Sequence, residues 1–265
     1  MITLRQLPFT WVTTPALIVL FILGWDFYVT TFDISKFILP RPISVFDGLV
    51  ELFSTPSTYR HTWITVYETL AGFAIAATIG IGLGAVLGKV PWLERTLNPF
   101  IIATQVVPKV ALIPLFILWF GFGPESKIIV SAVIAFFPIL TNTLLGIKSI
   151  DFGQKDVMTS LNAGRWQTFV TLEFPSALPA ILTGMEVGIV LAIIGAVVGE
   201  YLGGSEGLGY LAVATLAAYK VNLLFAVIIL LTAVGFLLYV AMVSVRRFII
   251  PWHESVLIER QQVAG

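Results

Sequence analysis

Long apolar runs separated by short polar breaks dominate this chain. A membrane crossing needs roughly twenty apolar residues at about 1.5 Å of rise each. Six segments reach that length: residues 14–32, 62–88, 100–121, 127–147, 177–202 and 222–248. The runs are unbroken rather than alternating. They therefore predict helices and exclude an outer-membrane barrel, whose strands alternate every second residue. The expected fold class is all-α, a polytopic membrane protein with six transmembrane helices. The spans leave room for one domain, residues 1–265, with its core at about 62–248.

Composition narrows the function classes. The chain is 58% hydrophobic and 11% charged, with a mean hydropathy of +0.97, whereas soluble domains carry about 25% charged residues. Fifteen basic and 15 acidic side chains cancel, and no basic patch points to nucleic acid. The absence of cysteine excludes disulfides and thiolate metal sites. His61 and His253 are too far apart in sequence to suggest a metal cluster. No nucleophile-base-acid set or paired carboxylates stand out, so no catalytic residue and no cofactor are expected. No G-x-x-x-x-G-K-[ST] loop is present, so the chain has no usual cradle for ATP. The first apolar run follows a single basic residue, Arg5, and lacks a small-residue cleavage site. It is read as a retained span rather than a signal peptide.

Loop charges set an expected orientation. One set of loops holds Arg5, Lys89, Arg95, Lys148, Lys155, Arg165, Arg246, Arg247 and Arg260, nine in all. The other holds Lys36, Arg41, Arg60, Lys127 and Lys220, which is five. Nine against five places both termini in the cytoplasm, together with the loop between the fourth and fifth spans. The outer loop after the first span contains Leu39-Pro40-Arg41-Pro42, an extended entry. Ser44 could then cap a short amphipathic helix with Val45, Phe46, Leu49, Val50 and Phe53 on its apolar side.

Residues 149–175 form the other distinctive element. Asp151 or Ser149 can cap a helix on which Val157 and Leu161, with Met158 beside them, share one face. Asn162-Ala163-Gly164 reads as a helix stop. A second helical stretch starts at Arg165, carries Trp166, Phe169 and Val170 as its stripe, and is expected to break at Pro175. Such a segment could dock into a partner's groove or lie in lipid headgroups.

Within the spans, ionisable residues are expensive and tend to face protein or water. They are Asp26, Glu68, Lys109 and Glu186, with Glu200 near the outer end of the fifth span. Asp26, close to a span end, can snorkel. Charge sign and rough depth suggest pairing of Lys109 with Glu68 or Glu186. Pro108, Pro114 and Pro138 should interrupt the third and fourth spans. Gly80, Gly82, Gly84 and Gly88 suggest close helix contact. The run "GEYLGGSEGLGYL" ends the fifth span as either a mobile outer loop or an ordinary turn.

The stretch "DVMTSLNAGRWQTFVTLEFP" resembles the cytoplasmic signature of binding-protein-dependent ABC importer permeases. That signature has Glu-Ala-Ala, a glycine six residues after the Glu, and Ile-x-Leu-Pro nine residues further on. Asp156-Val157-Met158, Asn162, Leu172, Phe174 and Pro175 occupy those places here. The segments "LPRPISVFDGL", "VPKVALIPLFILWFGFGPESKIIVSAVIAFFPILTNTLLGIKSID", "IGAVVGEYLGGSEGLGYL" and "RRFIIPWHES" are similar to the nitrate/taurine/sulfonate branch. The last two are similar to members for pyrimidine precursors and riboflavin. The resemblance implies a type I importer permease fold in the bacterial inner membrane. It also implies alternating access for a small organic solute or oxyanion, a second permease copy, a separate ATPase subunit and an extracytoplasmic binding protein. By the same resemblance Asp156, Val157, Met158, Leu161, Asn162, Ala163, Gly164, Arg165, Trp166, Phe169 and Pro175 couple to the ATPase. Glu200 and Tyr201 would lie near the gate, and Glu68, Lys109 and Glu186 are further pathway candidates. The competing class is a self-sufficient secondary transporter or channel driven by an ion gradient.

Overall fold

The structure is a computed structural model that describes residues 7–251, with side chains from residue 13 onward. Arg5, His253, Arg260 and the two chain ends lie outside the described residues. The helices are α1 (Leu7–Thr31), α2 (Pro42–Ser54), α3 (Pro56–Lys89), α4 (Pro91–Val106), α5 (Ile113–Phe120) and α6 (Pro124–Lys148). They are followed by α7 (Phe152–Ser160), α8 (Arg165–Thr168), α9 (Phe174–Gly203), α10 (Leu208–Ala217) and α11 (Val221–Ile249). Pro42, Pro56, Pro91 and Pro124 open α2, α3, α4 and α6. A first-turn N–H has no partner inside its helix, so proline loses nothing there.

Five helical runs are long and apolar enough to cross a bilayer: Thr13–Thr31, Pro56–Lys89, Pro124–Lys148, Arg165–Gly203 and Val221–Ile249. The sixth crossing is a broken one. Pro91–Val106 and Lys109–Phe120 meet at 83°, which corrects the expectation of a continuous helix over 100–121. Pro108 has no N–H to donate and pushes Val107 into extended backbone, with ψ at 126°. Pro114 falls in the first turn of α5 and breaks nothing. Pro138 lies inside α6, which runs through it uninterrupted.

The centre of the bundle is α6, with α3 packed parallel on one side and α9 antiparallel on another. Lipid tails are as apolar as leucine, so helices gain little by hiding apolar side chains from them. Close backbone approach supplies dispersion contact instead. Gly72, Gly80, Gly84 and Gly88 of α3 face Ser131, Ile139, Thr143 and Ile147 of α6. From the other side Gly184, Gly188, Gly195 and Gly199 of α9 face Asn142, Ile139, Ser131 and Lys127. Ile139 is thus held between Gly80 and Gly188, and Ser131 between Gly72 and Gly195. The Ser131 hydroxyl donates to the Ala192 carbonyl at 2.9 Å. Gly82 faces open space and takes no part, unlike its three neighbours in the expected set.

The helix α2 packs on α11 through Val45, Gly48 and Leu52. Phe46, Val50 and Phe53 are exposed, so its apolar residues serve two faces rather than the single one expected. Arg41, not Ser44, is the N-cap residue, and it makes no side-chain cap. Its guanidinium instead holds Asp26 of α1 through two bonds of 2.9 and 3.0 Å.

A methyl built on Gly84 would lie 2.6 Å from Thr143 Cβ and 2.8 Å from the Leu140 carbonyl oxygen. Gly84→Val should therefore lower stability by about 1–3 kcal/mol through overpacking. Gly82→Ala should leave stability unchanged or raise it by up to about 1 kcal/mol through helix propensity. Reversible unfolding of both variants in mixed micelles checks the contrast.

Candidate functional site: two ends of one helical rod

The first group of candidate residues gathers where α3 and α6 end and α9 begins. Asp151 caps α7 by accepting the Gly153 N–H at 2.7 Å. The helix stops as expected at Asn162, whose φ is 56°. Its N–H donates to the Thr159 carbonyl at 2.9 Å, and the Ala163 N–H donates to the Met158 carbonyl at 3.0 Å. This pair of bonds closes the last turn as a left-handed C-terminal cap, a role asparagine tolerates better than most residues.

Pro175 does not end the stretch that starts at Arg165. α8 continues through a π-helical turn, Phe169–Glu173, directly into α9. The physical reason lies in the missing N–H: Pro175 cannot bond the carbonyl four residues back, and its ring crowds it. Widening the turn, with the Phe174 N–H reaching the Phe169 carbonyl, removes the conflict. The turn is clamped by the last residue of α3. Lys89 pairs with Glu173 at 2.7 Å and sits 4.5 Å from the Phe169 ring centre. Trp166 and Phe169 have ring centres 5.8 Å apart. Outside the clamp the apolar stripe is open: Val157 is 58% exposed, Leu161 71% and Trp166 76%.

The second group lies at the opposite end of α9. Glu200 is 1% exposed. Its carboxylate accepts from the Thr65 hydroxyl at 2.6 Å and from the Gly209 N–H at 2.5 Å. Thr65 accepts in turn from the Leu208 N–H at 2.8 Å, and His61 Nδ1 accepts from the Gly207 N–H at 3.0 Å. The first N–H groups of α10 are thereby satisfied by side chains of α3 and α9, with an anion at the positive end of the helix dipole. Gly207 has φ at 101°, and a side chain there would run into the Glu200 carboxylate. "GEYLGGSEGLGYL" is therefore a fastened turn. Arg60 and Glu206 form an ion pair at its rim.

Lys127 belongs to this group and was missed, having been counted with the loops. It lies within α6 and is 2% exposed. Its ammonium donates to the carbonyls of Phe122, Gly123 and Gly203 at 2.5, 3.0 and 2.7 Å. The available signal was its place three residues after Pro124, inside a helix and not before it. Glu68 of α3 is 3% exposed and lies against the Glu200 carboxyl.

The expected Lys109 pairings do not form. Lys109 sits at the break after α4, where its ammonium donates to the Gln105 carbonyl at 3.3 Å and lies 4.8 Å from the Phe137 ring centre. Glu186 is paired with Arg246 of α11 through contacts of 3.2 Å. Tyr201 turns away from the polar cluster into an apolar groove between α9 and α11, beside Tyr239. Among the described residues no group of three or more His, Cys, Asp or Glu could hold a metal ion.

A helical bundle of this topology, with a clamped surface segment between two crossings, is that of a type I importer permease. In the MetNI methionine ABC transporter, solved in inward-facing form, the matching chain superposes with a TM-score of 0.64. The two are 20% identical, over 72% of this chain and 95% of that one. The profile of the binding-protein-dependent transport system inner membrane component family matches residues 76–252, and the chain belongs to that family. It is 36% identical over 241 residues to the riboflavin transport system permease protein RibX of Chloroflexus aurantiacus, covering 91% of this chain and 90% of the relative. It is 34% identical over 221 residues to the formylaminopyrimidine transport permease protein ThiX of Halalkalibacterium halodurans, covering 83% and 88%. The taurine transport system permease protein TauC of Escherichia coli is 28% identical over 237 residues, covering 88% and 86%. The chain is thus a multi-pass inner-membrane permease component of an ABC importer. ATP hydrolysis resides on a separate subunit, which displaces the secondary-transporter alternative.

Lys127→Met should remove the ammonium donor from three partly buried carbonyls, two of which, Phe122 and Gly203, have no other side-chain donor among the described residues. A loss of at least about 2 kcal/mol is expected, since one unsatisfied buried group already costs about 1–3 kcal/mol. Arg60→Met, at the exposed rim, should change stability by no more than about 1 kcal/mol. Unfolding midpoints of the two variants, purified in the same detergent, test the difference.

Proposed function

We propose that two copies of this chain form the translocation pathway of an ATP-driven importer for a small organic solute, and that the segment 149–175 is the lever on which the ATPase pushes. The supporting observation is the exposed stripe of Val157, Leu161 and Trp166 on a segment whose far side is fused to α9 and clamped by Lys89. An apolar stripe with a charged rim suits a groove on a partner. The permease domain is read as the whole of residues 1–265.

On this reading the α7 end faces the cytoplasm, as do both chain termini. Moving Lys127 out of the loop count leaves Lys36, Arg41, Arg60 and Lys220 on the other side, which sharpens the charge bias. The α10 end then faces the binding protein. Glu68, Lys109, Glu186, Glu200 and Tyr201 remain the pathway and gate candidates. Of these, Glu200 serves as the fastening of the gate turn, supported by its bonds to Thr65 and Gly209. The transported solute falls among those named for the relatives, with riboflavin and formylaminopyrimidine carriers standing at the higher identities. ATP shifts the permease between its two states only through a difference in its affinity for the open and closed ATPase.

The test uses the full complex of permease, ATPase and binding protein in proteoliposomes. Combining Arg165→Glu with Trp166→Ala, or with Leu161→Ala, should lower uptake at least about ten-fold while ATP hydrolysis continues. A ten-fold loss corresponds to about 1.4 kcal/mol of coupling. Undiminished uptake would remove the segment from the coupling path. The chain has no cysteine, so Ser160→Cys provides a single thiol. It should react with a membrane-impermeant maleimide only from the cytoplasmic side.

A further inference from the structure

A cavity of about 280 Å³ opens beside the α10-end cluster, between α3, the turn into α6 and the loop leading to α10. Tyr67, Glu68, Phe122, Lys127, Ser205 and Glu206 are among the residues that line it. The lever at the other end of the molecule makes no use of it.

The cations around it are already committed. An ammonium has three N–H donors, and those of Lys127 are all directed at main-chain carbonyls. The N–H groups of Gly204, Gly207, Leu208 and Gly209 are also engaged, with the Glu200 carbonyl, His61, Thr65 and the Glu200 carboxylate. Arg60 is taken by Glu206. The walls therefore offer no uncommitted cation to an anionic ligand. Acceptors remain. Glu68 is buried, and its Oε2 receives no hydrogen bond from the described residues. The group it touches is the carboxyl of Glu200, whose oxygens already accept from Thr65 and Gly209. A buried acceptor without a donor is costly, and a ligand N–H supplies what the protein does not. Tyr67 and Phe122 add ring surface on which a flat heterocycle can pack, and the Tyr67 and Ser205 hydroxyls can adapt as donor or acceptor.

We propose that this cavity contacts the transported solute, that Glu68 reads an N–H donor on it, and that the solute is therefore a small nitrogen heterocycle bearing an amino group rather than an oxyanion. The proposal rests on the importer reading above and narrows its substrate class. Oxyanions would face a carboxyl pair that holds a negative charge and no free cation, an arrangement that disfavours them by repulsion.

Ser205 is exposed at the cavity wall, and Ser205→Cys creates one thiol in each permease chain. Its alkylation rate by a small maleimide is measured in nanodiscs with 4-aminopyrimidine, pyrimidine, ethanesulfonate or nitrate as the probe. The expected result is slowing by 4-aminopyrimidine, with pyrimidine at least about ten-fold weaker, the worth of one hydrogen bond to an otherwise unmet buried acceptor. Ethanesulfonate and nitrate should leave the rate unchanged. Adding Glu68→Met should weaken protection by 4-aminopyrimidine at least about ten-fold, because it removes the acceptor. The comparison of pyrimidine with its amino derivative needs no change at Glu68, so it stands even where that variant fails to fold. Equal protection by ethanesulfonate overturns the proposal. So does an unchanged rate in saturating 4-aminopyrimidine. Where this happens in a complex whose uptake responds to the Arg165 and Trp166 changes, the cavity assignment falls and the importer reading stands.

Discussion

Close approach of α3 and α9 to α6 is the contact on which the rest of the structure depends. In lipid, the surroundings of a helix are as apolar as its own side chains, so association must come from better packing than lipid provides. Glycine allows backbones and Cβ atoms to meet at distances no larger residue permits. Residues such as Ile139, fully buried between Gly80 and Gly188, then have dense neighbours on both sides. The same rule explains the periphery: Leu17, Leu20, Phe21 and Leu23 of α1 point outward, where lipid solvates them without penalty.

A bundle packed this tightly has little room for polar groups, and most of those it holds are engaged near its ends. Lys127, Glu200 and Thr65 fasten turns by meeting main-chain groups that have no partner within a helix. A lysine buried with three carbonyls at its ammonium is held by local complementarity, not by a counter-charge in contact. Glu186 and Arg246 follow the other solution, an ion pair between α9 and α11. Glu68 follows neither: its neighbour is another carboxyl. That difference in satisfaction, more than depth or charge, separates a structural acid from a candidate ligand-reading one.

Five of the crossings were legible from hydropathy alone because length and apolarity are bulk properties of a segment. The third was legible as a crossing but not as a bent one, since a hydropathy window averages over the Val107–Pro108 break. The stop at Asn162 and the cap at Asp151 were legible because each depends on local chemistry. The π turn before Pro175 was not. Proline was read as a terminator, and only the tertiary hold of Lys89 on Glu173 and Phe169 shows the helix being carried through it. Charge partners were the least legible feature. Depth along a span says nothing about which face a residue occupies, so Lys109 was matched to acids that α9 and α11 pack elsewhere. Lys127 was misplaced for a simpler reason: a helix boundary shifted by a few residues turns a loop cation into a buried one.

One element joins the two ends. From Arg165 to Gly203 the chain is helical for 39 residues, about 58 Å at 1.5 Å per residue. Its first turns carry the exposed stripe and the Lys89 clamp, and its last turn carries Glu200. Between them Gly184 and Gly195 lie against the α6 backbone, and Gly188 and Gly199 against the Ile139 and Lys127 side chains. A helix gripped so closely along its length cannot slide independently of its neighbours. If the ATPase seats on Leu161 and Trp166 as proposed, its push must either melt the π turn or move α3, α6 and α9 together, and the Lys89 clamp opposes melting. Motion of the three as one body would carry the α10 turn with it, because Thr65 and Glu200 bind that turn to two of the three moving helices.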